Sequence, residues 1–95
     1  MNLVALLSDD SRAAALAAGF EEEGVPLTVE PAEGSAEALA DEAAQRSDLG
    51  MGLGGDGERL ILVVAGRRYL EAPVAEARRF GQDAARVAAH RRLRT

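Results

Sequence analysis

The sequence predicts a three-layer α/β/α sandwich around a mixed sheet of about five strands, and three observations carry that reading. Two runs, residues 3–7 and 60–65, are apolar throughout and offer water no face, as strands covered on both sides do. Three other segments repeat their apolar residues at helical spacing. In order the elements run β-α-β-α-β-β-(β)-α, within 95 residues that allow a single domain, 1–95.

The first strand, Leu3-Val4-Ala5-Leu6-Leu7, is too short for a membrane span or a signal-peptide core, and no basic segment precedes it. Ser8-Asp9-Asp10-Ser11 supplies capping groups, Asp9 and Asp10 among them, for a helix over residues 12–23. Its Ala13, Leu16, Ala17 and Phe20 share one stripe, and Gly24 stops it. Val25, Leu27 and Val29 alternate with Pro26, Thr28 and Glu30, a half-buried strand whose proline suits a sheet edge, and Pro31 ends it. Ser35 caps a second helix reaching residue 46, whose Ala36, Leu39, Ala40 and Ala43 form a small-residue face able to approach a sheet closely.

Residues 49–54 read as a glycine-laced strand, joined through the turn Gly55-Asp56-Gly57 to the buried run 60–65. Pro73-Val74-Ala75 is read as a short last strand. A third helix over residues 78–92 turns Phe80, Ala84, Val87 and Ala88 inward and places Arg91 and Arg92 at its carbonyl end.

Composition excludes more than it proposes. Of the 47% of residues classed as hydrophobic, 20 are alanine, so the core is thin and rests on Leu and Val. A chain of this size and composition leans readily on a partner. Without Cys there are no disulfides, thiolate metal sites or thiol nucleophiles. All 11 basic residues are Arg, which removes Schiff-base lysines and the lysine of a Walker phosphate loop. His90 is the single histidine, so no His-pair metal site exists, and its place near the basic end of the last helix points to solvation and dipole pairing.

The net charge of -5 is segregated: residues 1–48 carry -9 and residues 49–95 carry +4. This asymmetry fits either a partner-facing surface or two differently solvated faces, and composition favours the second. Overall acidity argues against general nucleic-acid or membrane binding. Arg78, Arg79, Arg86, Arg91, Arg92 and Arg94 form a candidate phosphate-binding face, yet no aromatics are interleaved for base stacking.

Gly50, Gly52 and Gly55 match G-x-G-x-x-G, but a turn and a strand follow them where a dinucleotide site needs a helix N-terminus. The glycines are better read as places where a neighbouring backbone or partner comes close. Glu21-Glu22-Glu23 is more informative. Three carboxylates in the last turn of a helix face its negative end, so the run calls for a compensating cation, either a metal or a partner's arginine. The competing explanation is that glutamate is a good exposed helix former.

Three stretches resemble a known family, the small subunit of glycerol and diol dehydratase reactivases, itself similar to the medium subunit of the dehydratase. They are Gly19-Phe20-Glu21-Glu22-Glu23-Gly24-Val25-Pro26, Ser47-Asp48-Leu49-Gly50-Met51-Gly52-Leu53-Gly54, and Arg78-Arg79-Phe80-Gly81-Gln82-Asp83-Ala84-Ala85-Arg86-Val87. The chain departs from the family at Asp83, where an asparagine is usual, at Ala65-Gly66, where aromatics often stand, and after Ala88.

The resemblance implies a non-catalytic subunit of a chaperone-like factor that frees damaged cobalamin from a cobalamin-dependent dehydratase by subunit exchange. Its partner would be a large ATPase subunit, in a heterotetramer of two large and two small subunits, with transient contact to the dehydratase large subunit. The resemblance places ATP on the large subunit and adenosylcobalamin on the target enzyme, and locates the complex in the cytoplasm or a microcompartment. It also implies that Glu21, Glu22 and Glu23 lie at the partner interface, with Glu22 helping to hold a Mg²⁺ or Ca²⁺ there, since such hard ions take oxygen ligands from several segments. The alternative is a shortened structural medium subunit of the dehydratase itself. A stand-alone enzyme is disfavoured, because no nucleophile and base can be assembled from these residues.

Overall fold

A computed structural model describes residues 3–94, with side chains described through residue 90. Five strands and three helices follow one another as β1 (Leu3–Leu7), α1 (Ala13–Glu22), β2 (Leu27–Pro31), α2 (Ala36–Gln45), β3 (Met51–Gly55), β4 (Arg59–Val64), β5 (Arg67–Pro73) and α3 (Ala77–Arg94), with a short 3₁₀ turn, Val74–Glu76, before α3. The sheet order is β2-β1-β3-β4-β5. β1 pairs in parallel with β2 and β3, whereas β3-β4 and β4-β5 are antiparallel, so the sheet is mixed as the sequence predicts.

Chain direction explains the layers. β1-α1-β2 steps one way along the sheet and β2-α2-β3 steps back past β1, and two crossovers of the same hand then place their helices on opposite faces. Side-chain alternation follows suit. Leu3, Ala5, Leu7, Leu60, Leu62 and Val64 join Leu16, Phe20, Phe80, Ala84 and Ala88 in one core beneath α1 and α3. Val4, Leu6, Ile61 and Val63 face the other way, toward Ala36, Leu39, Ala40, Ala43 and Ala44 of α2. Both apolar runs are therefore covered on two sides, as their lack of a polar face requires.

The glycines of β3 are explained by the same alternation. Met51 and Leu53 point into the α1/α3 core, so Gly52 and Gly54 point at α2. A Cβ on Gly52 would collide with the backbone of Ala43 and Ala44, and one on Gly54 with the backbone of Ala36 and Ala40. The helix lies directly on the strand, as close backbone approach predicts.

Helix ends behave unequally. Ser35 caps α2, its hydroxyl accepting from the Ala38 amide at 3.1 Å. At α1 the predicted Asp and Ser caps are not used: Arg12 holds the N-cap position without a side-chain hydrogen bond, and Asp9 instead accepts from the Ser11 amide at 2.9 Å. An Asx turn competes with the helix for that carboxylate and starts α1 one residue late. Gly24, at φ 70, closes α1 as predicted, with the Gly24 amide donating to the Glu21 carbonyl and the Val25 amide to the Phe20 carbonyl.

The last strand differs from its prediction. Pro73 is the final residue of β5 and residues 74–76 form the 3₁₀ turn, whereas the strand itself is the charged stretch Arg67–Pro73. It is an edge strand, mostly exposed, so it carries little of the apolar alternation that marks a strand in sequence. Ala65-Gly66 makes the tight turn into it, at φ 52 and 79. The third helix runs one residue earlier and two later than predicted. The side chains of Arg91, Arg92 and Arg94 lie outside the described residues.

Candidate functional site

The carboxylate run is placed by a helix crossing. α1 and α3 touch where Gly19 meets Gly81: a Cβ on Gly19 would collide with the Arg78 carbonyl oxygen, and one on Gly81 would press into the Leu16 carbonyl. With both backbones in contact there, the last turn of α1 lies beside the first turns of α3. An isolated glycine within each helical pattern was the available sequence signal for this approach.

That juxtaposition supplies a cation. Glu22 accepts from Arg78 through both oxygens, Nε to Oε1 at 2.8 Å and Nη2 to Oε2 at 2.8 Å, while Gln82 Nε2 donates to Oε1 at 3.1 Å. Glu23 accepts from Arg86 Nη2 at 3.2 Å, and Arg86 also faces Asp83 at 3.7 Å. Glu21 is exposed and makes no ion pair among the described residues. The compensation that the misplaced carboxylates call for is thus met inside the chain for Glu22 and Glu23, by arginines of α3.

Hydrogen bonds from Arg78, assisted by Gln82 and by the guanidinium charge, hold the Glu22 carboxyl below its ordinary value, against a smaller desolvation effect in the other direction. The same pair raises Arg78, chiefly through its hydrogen bonds to Glu22. Both side chains remain open to solvent, at 65% for Arg78 and 38% for Glu22. An exposed pair of this kind contributes little to folding.

As a metal site the run is incomplete within the chain. Among the described residues no group of three or more His, Asp or Glu side chains is gathered as metal ligands. Glu22 offers one carboxylate at the surface, which fits a metal only as a shared ligand, with further oxygens from a second chain.

The other candidates separate from this site. Asp9 and Asp10 lie at the carboxyl end of β1, lining a shallow cleft with Ser8, Pro31 and Glu33. The Asp9 carboxyl is held low by its hydrogen bonds with Ser11. His90 is exposed on α3. Of the basic face, Arg78 and Arg86 are committed to Glu22 and Glu23, and Arg79 makes no ion pair among the described residues. Gly50, Gly52 and Gly55 serve a turn and close packing, with β4 following them.

A feature not anticipated from the sequence is a closed ring of charges on the α2 face. Arg59 bridges Glu37 at 2.8 Å and Glu71 at 3.0 Å, and Arg68 bridges the same two carboxylates at 3.3 and 3.1 Å. The ring ties the exposed strand β5 to the first turn of α2. There the Glu37 carboxyl is held low, chiefly by its hydrogen bond from Arg59. Four residues spread from 37 to 71 meet here, a coincidence that only the sheet order creates.

No helix is long and apolar enough to cross a membrane among the described residues. Known proteins place the fold. The chain is similar to a diol dehydratase-reactivating factor, solved complexed with ADP and Mg²⁺, at 25% identity and a TM-score of 0.70, covering 93% of this chain and 91% of that one. It shares its fold with a glycerol dehydratase reactivase at 24% identity and a TM-score of 0.73, covering 92% of this chain and 89% of the other. No curated protein matches the sequence. Residues 3–94, nearly the entire chain, match the family described as dehydratase medium subunit, and the chain belongs to that family.

Proposed function

We propose that the chain is the small, non-catalytic subunit of a reactivating factor for a cobalamin-dependent glycerol or diol dehydratase. The observation that carries this reading is the likeness to a diol dehydratase-reactivating factor chain over almost the whole of both chains. That factor was solved with ADP and Mg²⁺. A sequence without lysine lacks the residue that reaches the terminal phosphates in a Walker loop, and in this reading the nucleotide site and its ATP hydrolysis belong to the large partner.

In this reading the small subunit trades places with the similar subunit of the dehydratase, and the opened enzyme releases its damaged adenosylcobalamin. Two large and two small subunits make up the resting factor, in the cytoplasm or within a microcompartment. Glu22, flanked by Glu21 and Glu23, faces the large subunit and shares a Mg²⁺ or Ca²⁺ with its oxygens. The position of Glu22 at the end of α1, with its side chain 38% open to solvent, supports that role.

The family's description supports a second reading, a structural medium subunit of the dehydratase itself. Co-expression with the products of adjacent genes separates the two. A reactivase subunit leaves the column with a large ATPase and, together with it, restores turnover to an inactivated dehydratase while free cobalamin appears in solution. A structural subunit remains in the active holoenzyme throughout, and that outcome overturns the proposal. Within the first reading, Glu22→Ala loses its metal-dependent association with the large subunit.

A further inference from the structure

We propose that Arg78 is a built-in stand-in for the partner's cation: in the free chain its guanidinium occupies both oxygens of Glu22, and docking exchanges it for the cation across the interface. The inference rests on the reading above, in which Glu22 meets a cation held by the large subunit. Its own basis is geometric. Both Oε1 and Oε2 are taken at 2.8 Å, so a divalent ion chelated by both oxygens has to displace the guanidinium fork from this carboxylate.

Helix electrostatics explain why the stand-in is needed. Glu22 sits in the last turn of α1, which holds no basic residue, and Arg78 sits in the first turn of α3, which holds no acidic one. Each charge opposes its own helix end, and each is compensated by the other. The Gly19–Gly81 crossing fixes the two backbones, so the end of α1 that carries Glu22 stays beside α3. Arg78 can leave, since its side chain is 65% exposed and its long stem swings without moving α3. Because the pair is exposed, the lock is light enough for a partner to open.

The test measures affinity for the purified large subunit by titration calorimetry, in Mg²⁺ and in EDTA. Arg78→Gln binds tighter than wild type in Mg²⁺ by about two- to fivefold, the range an exposed pair supplies. Arg79→Gln, which changes net charge equally at a side chain with no ion pair among the described residues, leaves affinity unchanged. Arg78→Gln combined with Glu22→Gln binds no tighter than Glu22→Gln alone, because Arg78 acts only through that carboxylate. If Arg78→Gln gains nothing while Glu22→Gln loses metal-dependent binding, the stand-in is wrong and the interface role of Glu22 survives. An equal gain from Arg79→Gln also overturns the stand-in, assigning the effect to net charge. If Glu22→Gln binds like wild type in both buffers, the Glu22 reading fails first. Circular dichroism confirms the fold of each variant. Arg78→Lys, which keeps the charge but loses the two-pronged fork, replaces Arg78→Gln if the latter does not fold, with tighter binding expected and an unchanged affinity overturning the proposal.

Discussion

The two faces of the sheet are packed by opposite means. Under α1 and α3 the space is filled by large side chains, with Leu3, Leu16, Phe20, Met51, Leu53 and Phe80 almost fully buried. On the other face α2 presents mainly alanines, and the sheet answers with Gly52 and Gly54, so that backbone rests on backbone. The first face gains its stability from apolar area and tolerates adjustment of rotamers; the second gains from close fit and has no slack. An alanine-rich sequence can fold this way because a helix without bulk can still exclude water if the sheet beneath it gives up its own side chains. The polar attachments differ as well. α1 and α3 are joined by isolated pairs at the surface, Glu22 with Arg78 and Glu23 with Arg86, whereas α2 is tied to the sheet edge by a four-membered ring.

Removing bulk from the first face and adding it to the second break the comparison most directly. Phe20→Ala leaves a cavity under α1 and costs about 3–5 kcal/mol, a large share of the stability of a small domain. Gly54→Ala adds one methyl where the α2 backbone already sits and costs about 3 kcal/mol, since the whole helix must lift. Urea unfolding read by circular dichroism gives both values. A loss below about 1 kcal/mol for Gly54→Ala contradicts the backbone-on-backbone contact.

Ser35→Ala probes how far α2 depends on its cap. Loss of the hydroxyl that accepts from the Ala38 amide costs about 1 kcal/mol, measurable as a shift of the urea midpoint. Ala65→Asn lies on neither face and acts in the opposite direction. Alanine at φ 52 carries left-handed strain that asparagine bears more easily, so this substitution stabilises by about 0.5–1 kcal/mol, visible as a raised melting temperature.

The smallest effect is electrostatic. Because the folded Glu22 carboxyl lies below its ordinary value of 4.5, the unfolded chain binds the proton first. The contribution of the pair is therefore complete above that ordinary value and is lost as pH falls through the lower folded one. Glu22→Gln removes this part of the acid response. Thermal melts from pH 7 downward show a shallower decline for the variant than for wild type below pH 4.5, and identical slopes would dissociate Glu22 from Arg78 in solution.

Legibility in the sequence followed burial. β1 and β4 announced themselves by unbroken apolar runs, α2 by a serine cap and an alanine face, and the end of α1 by Gly24. β5 was missed because an exposed edge strand rich in Arg and Glu carries no apolar period, and because its tight turn opens with alanine, an uncommon residue at positive φ. At the site, the run Glu21-Glu22-Glu23 was legible as an electrostatic anomaly, whereas its arginine partners were not. Residue 22 and residue 78 are distant in sequence, and nothing local in either segment names the other.

The sequence by itself determined the layers, the two buried strands and the anomaly at the end of α1, because each is a local conflict or agreement between residue type, period and helix polarity. Tertiary structure alone decided what resolves that anomaly. The charge segregation between the two halves of the chain reads on composition as separate faces or a partner surface. In the fold the acids Glu22, Glu23 and Glu37 of the first half meet Arg78, Arg86, Arg59 and Arg68 of the second. Oppositely charged segments far apart along the chain come together only where the sheet order and a glycine crossing allow them, and composition contains neither.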